Sequence, residues 1–291
     1  TETQMVQSIV ADMLGGDGPE PNLAVLDQPL RDDAALRTKL NDRWPDYTAP
    51  YRNRIRAIER KAADGDSLAQ FGLGALLYSG KEPRLAKQDK PRGLALLEQA
   101  SAGGNVMAAT VVVSALLMDE DLPKGKPVPK DNLQRALPHM RRAADGNVPM
   151  AMGGMGDYYF NGAGGLARDC QQAEQWYARA EDAGLEGARN SRVWTLAVCP
   201  ISEQRDAPRA LELAGAMIAS ADTLPPAELD TIAAVYAANG RFSEAVTYQQ
   251  RAIDGVDAAN KAMVRRMKER LKAYQGKLGW TQSYSIFEQN E

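Results

Sequence analysis

The chain has 291 residues, of which 44% are hydrophobic, 25% are charged and 6% are aromatic, and its formal net charge is −3. Acidic and basic side chains are mixed along the sequence, so counterion release offers little free energy and we expect no nucleic-acid partner. No stretch approaches the ~20 consecutive apolar residues that cross a bilayer, so we expect no membrane span. Alanine is frequent while runs of β-branched and aromatic residues are few, which favours an all-helical fold.

Residues 1–50 precede the repeated part of the chain and match none of it. The opening stretch TETQMVQSIVADMLGG is too polar for a signal peptide and predicts a short surface helix. We therefore predict an N-terminal helical extension over residues 1–50. The chain begins with Thr1 rather than methionine, for which removal of an export signal is one explanation.

Residues 51–218 repeat one unit four times. Each copy carries an aspartate that is predicted to start a helix, at intervals of 42, 38 and 37 residues: Asp89, Asp131, Asp169 and Asp206. Aspartate accepts hydrogen bonds from the free N–H groups of a first helical turn, and a glutamine three residues after Asp131 and Asp169 supplies the second half of a capping box. The interval predicts one helix pair per unit.

The clearest copy runs from Ala151 to Gly184. Its first helix has Ala151, Met155, Gly156 and Tyr159 on one predicted stripe, and its second has Ala173, Trp176, Tyr177 and Ala180. Gly156 lacks a side chain and is predicted to let the partner helix approach closely, while Tyr159 is predicted to lie in the core. The glycine-rich run after Asn161 ends the first helix.

This pattern, AxxxLGxxYxxGxG followed by DxxxAxxWYxxAxxxG, resembles the SEL-like repeat (SLR) family, a relative of tetratricopeptide (TPR) repeats. The third copy matches it at nearly every position, the second carries the inserted loop LPKGKPVPKD, and the fourth has Cys199-Pro200 where the glycine turn belongs. The resemblance implies an all-α fold, a right-handed α-solenoid of stacked antiparallel helix pairs.

Residues 219–291 differ from the four copies. The stretch LDTIAAVYAANGRFSEAVTYQQRAI fits a TPR motif, with Ala233, Tyr236, Gly240, Ala245 and Ala252 at the motif positions. An amphipathic, basic segment over about residues 258–274 predicts a helix that caps the stack. The predicted organisation is therefore an extension over 1–50, four SEL-like repeats over 51–218, and a TPR-like unit with a capping helix over 219–291.

No motif for catalysis is found. The single histidine, His139, cannot form a two-histidine metal site and is interpreted as a packed helix residue. Some cysteine-rich SLR proteins are associated with penicillin binding or hydrolysis, but no serine here is followed by lysine three places later, and no P-loop or GxSxG motif occurs. We predict no enzyme activity, cofactor or metal, and keep a hydrolase as the least favoured alternative.

Cys170 and Cys199 are separated by 29 residues, which excludes a CxxC redox motif. Cys170 starts the second helix of one unit and Cys199 ends the first helix of the next, so antiparallel packing brings them to the same end of the stack. We favour a disulfide because Cys199 occupies a turn position; the alternative is two ordinary buried thiols. A disulfide predicts a periplasmic or otherwise exported protein, and free thiols leave a cytoplasmic one.

The first helices of stacked pairs line the concave face of such a superhelix, so variable positions there are the predicted contacts with a partner. They are Asp157, Tyr158, Arg192 and Trp194. Tyr, Trp and Arg are the residue types enriched at interface hot spots. In an alternative interpretation, Trp194 fills a gap left by the degenerate fourth repeat.

Because SLR and TPR relatives serve as scaffolds, adaptors and envelope assembly factors, the resemblance implies a non-enzymatic module that binds a protein or peptide partner, in the bacterial envelope. Some bacterial relatives look like immunity proteins that neutralise secreted toxins, and this is the main alternative. An immunity protein predicts one tight partner, whereas a scaffold predicts several weaker ones.

Overall fold

The structure is a computed structural model that describes residues 49–81, 86–122, 126–283 and Phe287. Within these residues every regular element is a helix, which confirms the all-α fold built from helix pairs. The chain divides into two compact units, one ending at Ala115 and one spanning Leu116–Glu291. The boundaries predicted from repeat type, at residues 50 and 218, stay predictions, and nearly all of the extension over residues 1–50 lies outside the described residues.

The helices follow one another through short connections. In the first unit they are α1 Ala49–Ala63, α2 Ser67–Ser79, α3 Lys90–Ala102 and α4 Val106–Leu117, the last of which ends just past the boundary. In the second unit they are α5 Lys130–Asp145, α6 Pro149–Asn161, α7 Cys170–Asp182, α8 Ala188–Val198, α9 Ala207–Leu213, α10 Gly215–Ala219, α11 Pro226–Ala238, α12 Phe242–Gly255 and α13 Lys261–Gln275. A short 3-10 turn, Ser202–Gln204, joins α8 to α9.

Three of the four predicted cap aspartates start their helices. The carboxylates of Asp89, Asp169 and Asp206 each accept a hydrogen bond from a backbone N–H of the following turn. The prediction for Asp131 is wrong, because α5 already begins at Lys130 after the inserted loop, with Pro129 at the cap position and no side-chain cap bond. Asp131 instead lies in the first turn, where its charge still complements the helix dipole.

The backbone N–H of each of these three cap aspartates donates to a carbonyl near the end of the preceding helix. Asp89 bonds to Leu77, Asp169 to Tyr159 and Asp206 to Leu196, at 3.0, 2.9 and 3.1 Å. This tie occupies the N–H that a reciprocal capping box uses, which explains why the predicted glutamine half of the box is not formed at Asp169. Each loop is therefore closed at its base by one backbone hydrogen bond.

In the first unit, α2 packs against both α1 and α3. The α1–α2 core is aliphatic and consists of Ile55, Ile58, Ala62, Ala69, Leu73, Leu76 and Leu77. The α2–α3 contact is made backbone to backbone, since a Cβ placed on Gly93 would lie 2.5 Å from the backbone nitrogen of Tyr78. Glycine at this position is therefore required by the approach of the two helices.

In the second unit, α6 packs on α5 and α7, and α7 packs on α8. A Cβ on Gly156 would lie 2.5 Å from Cε1 of Tyr177, so Gly156 does allow the close approach that its position predicted. Met155 is fully buried, and His139 is buried as interpreted from the sequence. Small residues thus set the distance between the helices of the clearest repeat.

Helices α11 and α12 pack against each other, and α13 packs on α12. Their assignment as a TPR-like unit and a capping helix stays a prediction. The turn between α11 and α12 uses Gly240 in the left-handed conformation, at φ 72°. Helix α8 packs directly on α11, so one core of buried residues runs from the third repeat to α13.

Candidate partner-binding site

Cys170, the first residue of α7, and Cys199, which follows α8, are joined by a disulfide. This is the pairing favoured from the sequence. Both cysteines are buried, and the backbone N–H of Cys170 also donates to the side chain of Gln204 at 2.7 Å. The end of α8 and the start of α7 are therefore fixed to each other covalently.

Arg192 is held by carboxylates of the neighbouring helix. Its Nε donates to Glu174 at 2.7 Å and its Nη1 to Glu181 at 3.3 Å, both on α7. Burial alone lowers the pKa of Arg192, but the hydrogen bonds and charges of the two glutamates outweigh it, so the pKa lies above its ordinary value. Arg192 lies on the side of α8 that faces α7, and its role as a partner contact stays a prediction.

Asp157 is bound within the third repeat. Its Oδ1 accepts a hydrogen bond from the Tyr177 hydroxyl at 2.6 Å, which links α6 to α7. Burial raises the pKa of Asp157 to about 6, and the hydrogen bond from Tyr177 offsets part of that rise. The residue as a whole is half-buried, and the prediction that it contacts a partner is untested.

Tyr158 is not an exposed contact, and that prediction is wrong. The residue is 1% exposed, and its hydroxyl donates to the backbone oxygen of Leu133 at 3.1 Å. Its neighbour Tyr159, expected in the core, is half-buried and accepts a hydrogen bond from Arg141. Gly164 lies so close to the Tyr158 ring that a Cβ there would be 2.7 Å from Cε1, so the glycine turn selects Tyr158 as the inward residue.

Trp194 lies on the other side of α8 from Arg192, because two residues along a helix are about 200° apart. The structure therefore does not bring these two predicted contacts into one patch. The Trp194 ring is half-buried, and its Nε1–H donates to Oε1 of Gln282 at 2.8 Å. Arg270 of α13 lies over the same ring, 5.5 Å from its centroid.

The segment that follows α13 runs back to α8. We call residues 278–283 the return segment. The backbone N–H of Gln282 donates to the carbonyl of Val198, at the end of α8, at 2.9 Å. Arg168 donates through Nη1 to the carbonyls of Gln282 and Ser283 at 3.3 and 3.2 Å. The surface formed by Arg168, Trp194, Val198 and Arg270 thus binds a stretch of peptide, and we call it the α8 surface.

A buried ion pair supports the α8 surface from below. Asp230 of α11 and Arg270 of α13, 6% and 5% exposed, form two hydrogen bonds of 2.8 and 2.7 Å. Gln249 of α12 donates to the same carboxylate at 2.7 Å. Because both charges are desolvated, removing one partner costs about 3–5 kcal/mol. The pair therefore fixes the guanidinium against the Trp194 ring.

Trp194 was predicted from the sequence as a partner contact, whereas the other residues of the α8 surface were not. Arg168, Val198 and Arg270 come from three separate segments, and no local pattern relates them to Gln282. The one local signal was Trp280, an aromatic residue just after the end of a basic helix. Its ring also lies near Arg270, at 5.9 Å from the guanidinium carbon to the ring centroid.

The described residues offer backbone and side-chain hydrogen bonds, a cation and an aromatic face rather than a reactive group. No group of three or more His, Cys, Asp or Glu side chains among them is placed to hold a metal ion. None of the helices in the described ranges has the length and hydropathy needed to cross a membrane. Such a site suits recognition of a peptide.

Comparison with known proteins agrees with this architecture. The Sel1 repeat family model matches residues 67–105, 124–148 and 149–185, which are the first three predicted repeats; the fourth lies outside the match. No curated protein matches the chain.

Two proteins are among the solved structures that are similar to the chain. One is a Sel1 repeat protein from Oxalobacter formigenes, with 25% identity, a TM-score of 0.38, and coverage of 47% of this chain and 96% of that one. The other is a protective antigen present in uropathogenic Escherichia coli strains that displays an SLR fold. It has 19% identity and a TM-score of 0.43, and the match covers 77% of this chain and 45% of that one.

Proposed function

Since the chain carries Sel1 repeats, we propose that it is a non-enzymatic protein-protein interaction module whose α8 surface binds a protein or peptide partner. Sel1 repeat proteins are typically interaction scaffolds. The observation that carries the proposal for this chain is the convergence of an indole N–H, a guanidinium and the backbone carbonyl of Val198 at the end of α8 on one stretch of peptide. Those groups satisfy main-chain atoms of a ligand as well as a side chain.

We propose further that the protein works in an oxidising compartment, the bacterial periplasm or another part of the envelope. The support is the buried Cys170–Cys199 disulfide, since structural disulfides persist where thiols are not kept reduced. Thiol titration of protein purified from its natural compartment is the test. Recovery of the native protein with two free thiols would contradict the proposed location.

The function is tested by affinity capture from envelope and cytosolic fractions, read by mass spectrometry. We expect a partner that is captured by the wild-type chain and lost with Trp194→Ala, because that change removes both the indole donor and the aromatic face. Arg189→Ala is the matched control, since this residue lies on α8 but is about half exposed and pairs only with Glu181 among the described contacts. Circular dichroism checks that both variants stay folded.

Equal capture by both variants, or no specific partner, would refute the proposal. The stoichiometry of the captured complex distinguishes the two kinds of module. One partner bound tightly at equal stoichiometry identifies an inhibitor of the immunity type, whereas several weaker partners identify a scaffold.

A further inference from the structure

We propose that the return segment is an intramolecular ligand of the α8 surface, and that this surface takes in its place an external peptide with an aromatic residue two positions before a glutamine. The inference rests on the proposed function and specifies the chemistry of the partner. The order aromatic, any residue, glutamine is that of Trp280, Thr281 and Gln282 in the chain itself.

Gln282 is recognised through three of its polar atoms. Its backbone N–H is bound by Val198, its backbone oxygen by Arg168 and its side-chain oxygen by Trp194. The residue is 6% exposed although it lies outside any helix. Gln282 is thus contacted at both its backbone and its side chain, as the residues of a bound peptide ligand are. In such complexes the main-chain hydrogen bonds supply affinity and the side-chain contacts supply specificity.

The aromatic residue of the return segment, Trp280, lies near the guanidinium of Arg270, which other parts of the fold hold in place. The guanidinium carbon of Arg270 lies near the rings of both Trp194 and Trp280, at 5.5 and 5.9 Å from their centroids. Its guanidinium is held by two hydrogen bonds to Asp230. Because this support does not involve the return segment, the α8 surface keeps its shape when the segment leaves, and a preorganised site loses less entropy on binding.

The α8 surface is also braced covalently. Arg168 precedes Cys170 by two residues, and Val198 directly precedes Cys199. The disulfide therefore restrains the separation of the two backbone segments that carry Arg168 and Val198. A ligand with the same backbone geometry finds both partners already in place.

The return segment leaves several of its side chains exposed and one buried donor without an acceptor among the described residues. Leu278 is 64% exposed, and Thr281 and Ser283 are exposed as well. The Nε1–H of Trp280 is buried and has no acceptor among the described residues. A buried donor without a partner weakens binding, so an external peptide that satisfies this donor can compete despite the high effective concentration of a tethered segment.

The test uses the full chain and a fluorescent peptide with the sequence of residues 276–283, read by fluorescence anisotropy. In one variant, Trp280→Ser with Gln282→Ala, the tethered ligand loses both recognised side chains. We expect the peptide to bind this variant about 10-fold or more tightly than the wild type, because the tethered segment no longer occupies the surface. Leu278→Ser is the matched control in the same segment and should bind like the wild type.

The recognised side chains are checked from the peptide side. Replacing the tryptophan or the glutamine of the peptide with alanine should abolish binding to the double variant. Combining the double variant with Trp194→Phe, which keeps the ring but removes the indole donor, should weaken binding. If the double variant does not fold, Gln282→Ala alone takes its place.

Equal affinity of the peptide for the wild type and the variant, or no binding to either, would overturn the intramolecular ligand. That result is distinguishable from failure of the proposed function. If only the intramolecular ligand is wrong, affinity capture still finds a partner whose binding depends on Trp194. If only the proposed function is wrong, the peptide binds the double variant but affinity capture finds no cellular partner.

Discussion

The fold opposes the ionisation of Asp157. Its pKa lies at about 6 in the folded chain, against an ordinary value of 3.8. The folded state therefore holds a proton that the unfolded state has already released, and stability falls as the pH rises from about 4 to about 6. Above that window the full cost of a buried carboxylate is present.

We predict that Asp157→Asn is more stable than the wild type at pH 7.5, by up to about 3 kcal/mol, and that the gain disappears near pH 3.5. The asparagine oxygen still accepts the hydrogen bond from Tyr177, so only the charge is removed. Urea unfolding of both proteins at several pH values measures the difference. A difference that does not change between pH 3.5 and 7.5 would show that Asp157 does not titrate in this window.

The residues of the third repeat show how far sequence alone reaches at this scale. The stripe containing Met155 and Gly156 was placed correctly, because helical periodicity is a local property. Tyr158 was predicted to be exposed and Tyr159 to be buried, whereas Tyr158 is buried and Tyr159 is half-buried. The choice between adjacent tyrosines depends on where the turn after α6 passes, and the approach of Gly164 to the Tyr158 ring is a tertiary contact that no periodicity encodes.

At the scale of helices, the spacing between α6 and α7 depends on Gly156. We predict that Gly156→Ala destabilises the second unit by about 1–3 kcal/mol, because the new methyl group meets a Tyr177 ring whose hydroxyl is tied to Asp157. Gly215→Ala is the matched control, since nothing lies within 4 Å of a Cβ at that helical position. The control should be neutral or slightly stabilising.

Thermal unfolding of the two variants measures this effect. A melting temperature of Gly156→Ala at or above that of the wild type would mean that the helices separate without cost, contrary to the close packing of the pair. A loss of stability in both variants alike would assign the effect to glycine replacement in general.

The starts of helices were largely predictable, because a cap is a contact between neighbours in sequence. Asp89, Asp169 and Asp206 follow the rule. Asp131 departs from it where the inserted loop allows α5 to begin earlier, so an insertion shifts a boundary that the repeat interval had fixed. The tie from each cap to the preceding helix was not foreseen, since the capping-box pattern assigns the same N–H to a glutamine.

At the scale of the whole molecule, the disulfide is the one covalent cross-link that joins the third and fourth repeats in addition to the main chain. The loop between Cys170 and Cys199 spans 29 residues, and its closure restricts the unfolded chain. We predict that Cys170→Ser with Cys199→Ser lowers the free energy of unfolding by about 3.5 kcal/mol. Calorimetry with and without a reductant measures the loss.

The double variant also serves as the control for effects of the reductant other than cleavage of the disulfide. Dithiothreitol should lower the melting temperature of the wild-type chain to that of the variant and should not affect the variant. A wild-type melting temperature that is insensitive to complete reduction, verified by thiol titration, would contradict a stabilising role.

The α8 surface could not be assembled from the sequence because its parts are far apart along the chain. Trp194 and Gln282 are 88 residues apart, and Arg168 and Gln282 are 114 apart. Repeat patterns describe contacts between neighbouring units, and a segment that returns across several helices falls outside that description. The sequence predicts that function lies where the units deviate from one another, as they do at Trp194 and Cys199, and this stays a prediction.

The backbone bond between each cap aspartate and the helix before it has a consequence for protein engineering. The loop between Leu77 and Asp89 is longer than the loop between Tyr159 and Asp169. Each loop is nevertheless closed by an equivalent hydrogen bond from the backbone N–H of the aspartate to the carbonyl of the residue at the other end. Ala86 also packs against the core of the first unit, so the part of the loop next to α3 helps to position that helix. We therefore expect a foreign sequence such as an epitope, inserted between Lys81 and Ala86, to leave α2 and α3 paired, because the bond from Asp89 to Leu77 and the packing of Ala86 lie outside the insertion. Such an insertion point makes the scaffold a display platform.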